Sequence, residues 1–101
     1  DQIYTERHWL YVSALHNLAL MYESKGDLVS AKSTMGRVLA LRGSMLGTRH
    51  FLYADSLFAL GHMQLKGGSK EDQDKGLASM RDAARILEEA GKSVRRAGPL
   101  C

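Results

Sequence analysis

Apolar and small residues recur at helical spacing in the first quarter of the chain. A helix with 3.6 residues per turn places four of them on one stripe: Leu15, Leu18, Ala19 and Tyr22. The Lys-Gly-Asp turn at 25–27 supplies a glycine that can end this helix and an aspartate that can cap the next. A second helical stripe follows, formed by Leu28, Ala31, Met35, Val38 and Leu39. The pattern predicts a hairpin of two helices.

Most of the chain repeats this hairpin with an offset of 42 residues. The segment Arg-His-Trp-Leu-Tyr at 7–11 recurs as Arg-His-Phe-Leu-Tyr at 49–53. The same offset pairs several residues of the first helices: Leu15 with Leu57, Leu18 with Leu60, Ala19 with Gly61, and Met21 with Met63. Repeat periods of about 20–50 residues that carry a helix hairpin indicate a helical solenoid, in which each hairpin packs on its neighbours.

The first hairpin resembles a tetratricopeptide repeat. The matching positions are Leu-x-x-Leu-Ala-x-x-Tyr at 15–22, Gly26, Asp27, Ala31 and Met35. The 42-residue period, the Leu-Gly-x-x-His linker at 46–50 and the phrase Ala-Leu-His-Asn-Leu-Ala at 14–19 resemble the kinesin light chain-like members of that family. The match covers most of residues 6–91. It implies an all-α fold, a right-handed α-solenoid of antiparallel helix hairpins.

The patterns predict helices at about 9–25, 28–42, 51–65 or 66, and 74–90, within one helical-repeat segment that spans residues 1–101. Its repeats are expected at about 6–47 and 48–91. The segments between and beyond the helices are predicted to be a tail and linker at 1–8, an apolar linker at 44–46, a protruding loop at 67–74, Gly91 just after the last helix, and a basic, mobile tail at 92–101.

The repeat also predicts a core. We expect four leucines to be buried between the hairpins: Leu15, Leu18, Leu57 and Leu60. Four methionines at repeat-equivalent positions are expected to pack in the same core: Met21, Met35, Met63 and Met80. The stripe of the fourth helix is predicted to hold Leu77, Met80, Ala84 and Leu87. His8 and His50 share one repeat position and are expected near a helix start, where Trp9 and Phe51 pack.

Composition narrows the classes of function. A net charge of +3, with both signs spread along 101 residues, gives no clustered basic stripe for a nucleic acid. The single cysteine, Cys101, fits an intracellular, reducing compartment, and no apolar run is long enough to span a membrane. Residues 1–5 align with 43–47 at the repeat offset, so we expect this segment to be part of a longer array. By itself it should be marginally stable or associate with other protein.

Catalytic and metal chemistry find no support in the sequence. His16 and His62 lie on predicted helices without a second histidine or cysteine at metal-ligand spacing. There is no Gly-x-Ser-x-Gly elbow, and Cys101 lies at the chain end. We therefore expect neither an enzyme nor a bound cofactor or metal.

The concave face of the solenoid is the candidate binding site. By resemblance the first helix of each hairpin lines it, and Asn17 supplies an amide that can hold a peptide backbone. Ala59 replaces the second asparagine that the family would have. The predicted face holds Ser13, His16, Asn17, Leu20, Ser24, Asp55, Phe58, His62 and Lys66.

Two functions stay open at this point, an adaptor that docks a partner peptide or helix in the groove and a structural subunit built permanently into a larger multiprotein assembly. An RNA-binding helical repeat, which needs matched base-reading side chains, is not supported by the pairs Ser13/Asp55 and Leu20/His62.

Overall fold

Three short turns divide the chain into four helices in the computed structural model, which describes the backbone of residues 2–97 and the side chains of residues 8–91. The helices are α1 (Gln2–Ser24), α2 (Leu28–Leu46), α3 (Phe51–Leu65) and α4 (Lys70–Ala97). Within residues 2–97 there is no strand, which confirms the all-α class expected from the sequence. The right-handed solenoid stays a prediction.

The first turn is built as the sequence predicts. Gly26 adopts a φ of 87°, a left-handed conformation that costs glycine little and ends α1. Asp27 then caps α2, because its carboxylate accepts a hydrogen bond from the Ser30 backbone N–H at 3.2 Å.

Side-chain caps also begin the other two helices. His50 precedes α3, and its Nδ1 accepts a hydrogen bond from the Leu52 N–H at 3.1 Å. This confirms that the histidine lies at a helix start, whereas its repeat partner His8 lies within α1. Ser69 precedes α4, and its hydroxyl accepts from the Asp72 N–H at 3.0 Å.

Several predicted boundaries are wrong, and each error underestimates a helix. Helix α1 already begins at Gln2, and residues 44–46 form the last turn of α2 instead of a linker. Helix α4 begins at Lys70, because the Ser69 cap and the acidic residues at 71–72 favour a helix start there, so most of the predicted 67–74 loop is helical. It continues past Gly91 to Ala97, so only residues 98–101 of the predicted tail lie outside the described residues.

Consecutive helices pack side by side, and α1 also touches α3. The α1–α2 hairpin is bridged by Arg37, whose guanidinium donates to the Tyr11 hydroxyl at 2.8 Å. Helices α1 and α3 run parallel, since side-chain contacts join residues about 40 apart along both. The helices form an elongated body with axes of 45, 33 and 21 Å. This arrangement is compatible with a helical-repeat fold.

The main core lies between α1, α2 and the middle of α3. Its fully buried members are Val12, Ala19, Ala31, Met35, Val38 and Met63. Leu15 and Leu60 pack against this cluster, and Leu57 is half-buried. Leu18 is 42% exposed, against expectation, because it lies about 100° around α1 from the buried Ala19 and about 120° from the buried Val12.

The prediction that the repeat-equivalent methionines pack in the core is confirmed for Met35 and Met63 and wrong for Met21. Met35 and Met63 are fully buried and Met80 is half-buried, but Met21 is 57% exposed. Met63 is covered because α3 packs on the first hairpin, whereas none of the described helices packs on the equivalent face of α1. Phe51, also expected to pack at its helix start, is 54% exposed.

The predicted stripe of α4 is also wrong in part. Leu77 and Leu87 are 46% and 44% exposed, and Ala84 is exposed. The face that packs on α3 keeps Met80 of the predicted stripe but otherwise carries two small residues, Gly76 and Ala83, four residues before it and three after it. Two glycines allow this close approach. A Cβ added to Gly76 would lie 2.6 Å from the Gly61 carbonyl oxygen and 3.0 Å from the Leu65 nitrogen.

We predict that Gly76→Ala destabilises the chain by about 1–2 kcal/mol. The methyl group would meet backbone atoms of α3 and force the helices apart, and this overpacking outweighs the gain in helix propensity. Gly36→Ala is the matched control, since Gly36 lies within α2 and has nothing within 4 Å of an added Cβ; it should stabilise by about 0.5–1 kcal/mol. Urea unfolding of both variants measures the difference, and equal stabilisation by both would contradict the close α3–α4 packing.

Candidate functional site

An open cleft of about 360 Å³ lies between α1 and α3. Its lining residues are His16, Leu20, Glu23, Asp55, Phe58, Ala59 and His62. Five of these belong to the predicted face: His16, Leu20, Asp55, Phe58 and His62. The parallel packing of the two helices brings them together, and we refer to this cleft as the groove.

The groove combines an apolar surface with charged ends. Leu20 from α1 is 39% exposed and Phe58 from α3 is 46% exposed, with the smaller Ala59 beside them. Asp55, whose side chain is 62% exposed, lies toward the start of α3. His62 and Lys66, each about half exposed, lie at its other end. A ligand in the groove would therefore meet a carboxylate at one end and two basic groups at the other.

Glu23 anchors the basic end. Its carboxylate accepts a hydrogen bond from His62 at 2.8 Å and lies 3.2 Å from the Lys66 ammonium. Burial alone would raise the pKa of the Glu23 carboxyl, but the hydrogen bonds from His62 and Lys66 outweigh it and hold the pKa below its ordinary value. The carboxylate is thus charged at neutral pH and keeps both basic side chains over the groove.

A buried polar network lies beneath the other end of the groove. Arg42 from α2 donates to the Ser56 hydroxyl oxygen at 2.8 Å and to the Leu52 carbonyl at 3.2 Å. Ser56 is fully buried, and its Oγ lies 3.0 Å from His16 Nδ1. We assign the Ser56 hydrogen to this bond, which leaves the hydrogen of neutral His16 on Nε2, 3.7 Å from Asp55.

The network holds two basic groups close together. Arg42 is 5% exposed, and its Nε has no hydrogen-bond partner among the described residues. Burial lowers the pKa of Arg42, and the charge of Asp55 partly opposes this. Burial also lowers the pKa of His16, and the neighbouring Arg42 charge lowers it further, against the attraction of Asp55. Neutral His16 is therefore the form that the folded chain favours.

The Ser56–His16–Asp55 sequence of contacts superficially resembles a catalytic triad. Ser56 has no exposed surface, and its oxygen already accepts the Arg42 hydrogen bond. A nucleophile must reach its substrate, so these contacts serve packing between the hairpins. No group of three or more His, Cys, Asp or Glu among the described residues could hold a metal ion.

The remaining predicted residues lie beside the groove. Asn17 and Ser24 are exposed and flank Leu20 on the same face of α1, since residues three and four apart are helix neighbours. Ser13 is half-buried and lies one turn before Asn17. The groove surface thus continues from its lining onto the side of α1 that holds the predicted amide.

Sequence reasoning missed Glu23, Ser56 and Arg42. Glu23 was detectable, because it follows His16 by seven residues and so shares its helix face. Ser56 and Arg42 give no such signal. An arginine in the last turns of a helix is typical of a solvated position, and only the approach of α3 buries this one.

Two other clefts occur on the described surface. One of about 420 Å³ is lined by Arg49, Arg85, Ile86, Glu89 and Ala90, and the other, of about 350 Å³, by Phe51, Leu52, Asp55, Phe58 and Leu87. The first is larger than the groove and holds none of the residues of the predicted face. Every helix within residues 2–97 falls short of the length or apolarity needed to cross a membrane.

We predict that acid destabilises the chain in two steps. As the pH falls through 6.5, the ordinary pKa of histidine, the unfolded state binds a proton that folded His16 resists, so the free energy of unfolding decreases. The free energy of unfolding decreases further below pH 4.5, the ordinary pKa of a glutamate, because the unfolded state then binds a proton that folded Glu23, with its lowered pKa, does not yet bind. His16→Asn keeps an acceptor for Ser56 and should flatten the first step but not the second. Urea unfolding across this pH range measures both, and an unchanged first step would contradict the assignment.

The groove offers exposed apolar side chains between charged ends. Comparisons with protein-family models, with curated proteins and with solved structures give no significant match.

Proposed function

We propose that this chain is a non-catalytic protein–protein interaction module of the tetratricopeptide-repeat kind, similar to kinesin light chain-like repeats, and that it docks a partner segment in the groove. Two features support the repeat assignment. The hairpins recur with a 42-residue offset, and the contacts His16–Ser56, Glu23–His62 and Lys32–Asp72 join residues 40, 39 and 40 apart. Helix α3 thus lies alongside its equivalent α1, close to the register that the repeat offset gives.

The exposed apolar surface of Leu20 and Phe58 is the observation that carries the proposal. Both side chains lie in an open cleft and remain substantially in water. Covering apolar surface stabilises a complex by about 25 cal/mol per Å² before the cost of association. His16, Glu23 and His62 beside them are already hydrogen-bonded within the chain, so covering these three groups leaves none of them without a partner.

The charges predict the chemistry of the partner. Asp55 and Lys66 are eleven residues apart on α3, which is about 16 Å along a helix. An extended peptide covers this distance in about five residues. We therefore propose a segment with a basic residue, an apolar anchor for Leu20 and Phe58, and an acidic residue about five positions from the basic one.

A second candidate is a structural subunit held permanently in a larger assembly. It is favoured by large apolar side chains outside the groove, of which Leu10 and Val29 are 71% and 78% exposed. A permanent interface typically buries more than about 2,000 Å², whereas a peptide groove buries far less. Stoichiometric recovery with one partner over a large apolar interface would support the subunit, and reversible binding of short peptides the adaptor.

The first test uses Asn17. Peptides of twelve residues, selected from a random display library on the wild-type chain, are measured by calorimetry on variants. Asn17→Ala should weaken binding by about 1–3 kcal/mol, the cost of leaving a covered backbone group without its partner. Ser33→Ala, at an exposed position of α2, is the control and should change nothing. Equal affinity for both variants, with helicity kept, would exclude an amide contact.

The second test concerns charge. The double variant His62→Ala/Lys66→Ala should bind the same peptides more weakly and with a smaller dependence on salt, because exposed charges attract through screened fields. Lys75→Ala is the control, since its exposed ammonium pairs with Glu71 on α4, away from the groove. The selected peptides should also carry the predicted charge spacing. A salt dependence identical to that of wild type would place the binding site elsewhere.

A further inference from the structure

The interface between the two hairpins has a repeat-equivalent surface at each end of the molecule. Within the chain, α3 packs on α1 and α2. The 42-residue offset makes α1 the equivalent of α3, and the match of Met35 with Met80 makes α4 the equivalent of α2 with an offset of 45. Each residue of the internal interface therefore has a counterpart on the outside.

The counterparts on α1 form an exposed apolar surface. Residues of α3 at the internal interface include Leu52, Ser56, Leu60 and Met63. Their equivalents on α1 are Leu10, Ala14, Leu18 and Met21, which we call the head face. Leu10, Leu18 and Met21 are 71%, 42% and 57% exposed, and Ala14 is exposed. Three of these four positions carry the same residue type on both helices, and at the fourth α1 has alanine where α3 has serine.

The counterparts on α3 and α4 form a second apolar surface. In the first hairpin His16, Glu23 and Arg42 contact α3. Their equivalents, with the neighbouring Phe51, are what we call the tail face: Phe51, Phe58, Leu65 and Leu87. Phe58 and Leu87 are 46% and 44% exposed, and they line the cleft of about 350 Å³ described above.

The head face and the tail face differ from the internal interface at matching positions. Three polar pairs of the internal interface have apolar pairs as counterparts: His16–Ser56 has Phe58–Ala14, Arg42–Ser56 has Leu87–Ala14, and Glu23–His62 has Leu65–Leu20. In these three pairs both members are replaced by apolar residues, so none of the three would bury an unpaired polar group. Three further contacts between the hairpins keep one polar member in their counterparts: Lys32–Asp72 has Leu77–Asp27, His16–Asp55 has Phe58–Ser13, and Glu23–Lys66 has Leu65–Ser24.

We propose that the head face of a second copy of this chain docks on the tail face, in the arrangement that α3 adopts on the first hairpin. A second copy is the occupant that the pairing favours, because one chain carries both halves of each apolar pair. The contact is head-to-tail and leaves one face free at each end, so it adds copies in an open row and does not close as a dimer. Phe58 belongs to both the groove and the tail face, and Leu20 of the groove would meet Leu65 of the other copy. Asn17, His62 and Lys66, the residues varied in the peptide tests, belong to neither face.

Two variants test this in sedimentation experiments on the full chain. Leu87→Lys blocks the tail face and Leu18→Lys blocks the head face; both leucines are already partly exposed, so the fold should persist, as circular dichroism checks. Wild type should show a mass that rises with concentration. Each variant alone should associate at least tenfold more weakly. An equimolar mixture should form a one-to-one dimer, because an intact head meets an intact tail. Val29→Lys, at a 78% exposed position outside both faces, should behave like wild type.

Three outcomes would overturn the proposal. A wild-type chain that stays monomeric at several hundred micromolar would exclude a second copy as the occupant. Dimers of either variant alone would mean that like faces meet. Failure of the mixture to dimerise, with both variants folded, would mean that the two faces do not bind each other. None of these outcomes bears on peptide binding, which is measured at low concentration on the groove variants.

Discussion

Ser56 fixes the position of the second hairpin on the first. Its buried hydroxyl accepts from Arg42 of α2 and donates to His16 of α1, so a single side chain of α3 is held by both earlier helices. A shift of α3 by one residue would break both bonds and leave the Arg42 guanidinium buried beside apolar atoms, at a cost of several kcal/mol. The parallel register of α1 and α3, and with it the groove, depends on this contact.

The groove is a consequence of that register. When His16 lies opposite Ser56, Glu23, two helical turns further along α1, lies opposite His62 and Lys66. Leu20, between them on α1, then lies near Ala59. The buried network sets spacing, while the ion cluster at the other end is partly solvated and contributes less to stability. A rigid network beneath one end and exposed basic side chains at the other would suit the proposed docking of a partner segment.

Helix type, the first turn and five of the seven residues that line the groove could be predicted from the sequence, because they depend on local patterns and on the repeat of the hairpin. A glycine followed by an aspartate between two helical stripes indicates a turn, as found at Gly26 and Asp27. The family resemblance puts Leu20 and Phe58 on one predicted face, and both line the groove. Burial could not be predicted from the repeat, because equivalent positions have different neighbours. Met63 is buried and Met21 exposed for this reason alone, and Arg42 becomes a core residue only through the arrival of α3.

Polar pairs in the interface between the hairpins correspond to apolar pairs on the head and tail faces, and this difference has a physical reason. The two hairpins are joined by the short linker at 47–50, so the effective concentration of one hairpin at the other is high. The interface between them can therefore include polar pairs, which fix the alignment of the helices but contribute little net binding free energy. Two separate copies have no such tether and must offset the full loss of translational and rotational freedom. Apolar burial is the interaction that can supply this, since its favourable free energy grows with area and needs no exact geometry. An interface between copies should therefore be apolar at the positions where the tethered one is polar, as Phe58, Leu87 and Ala14 are.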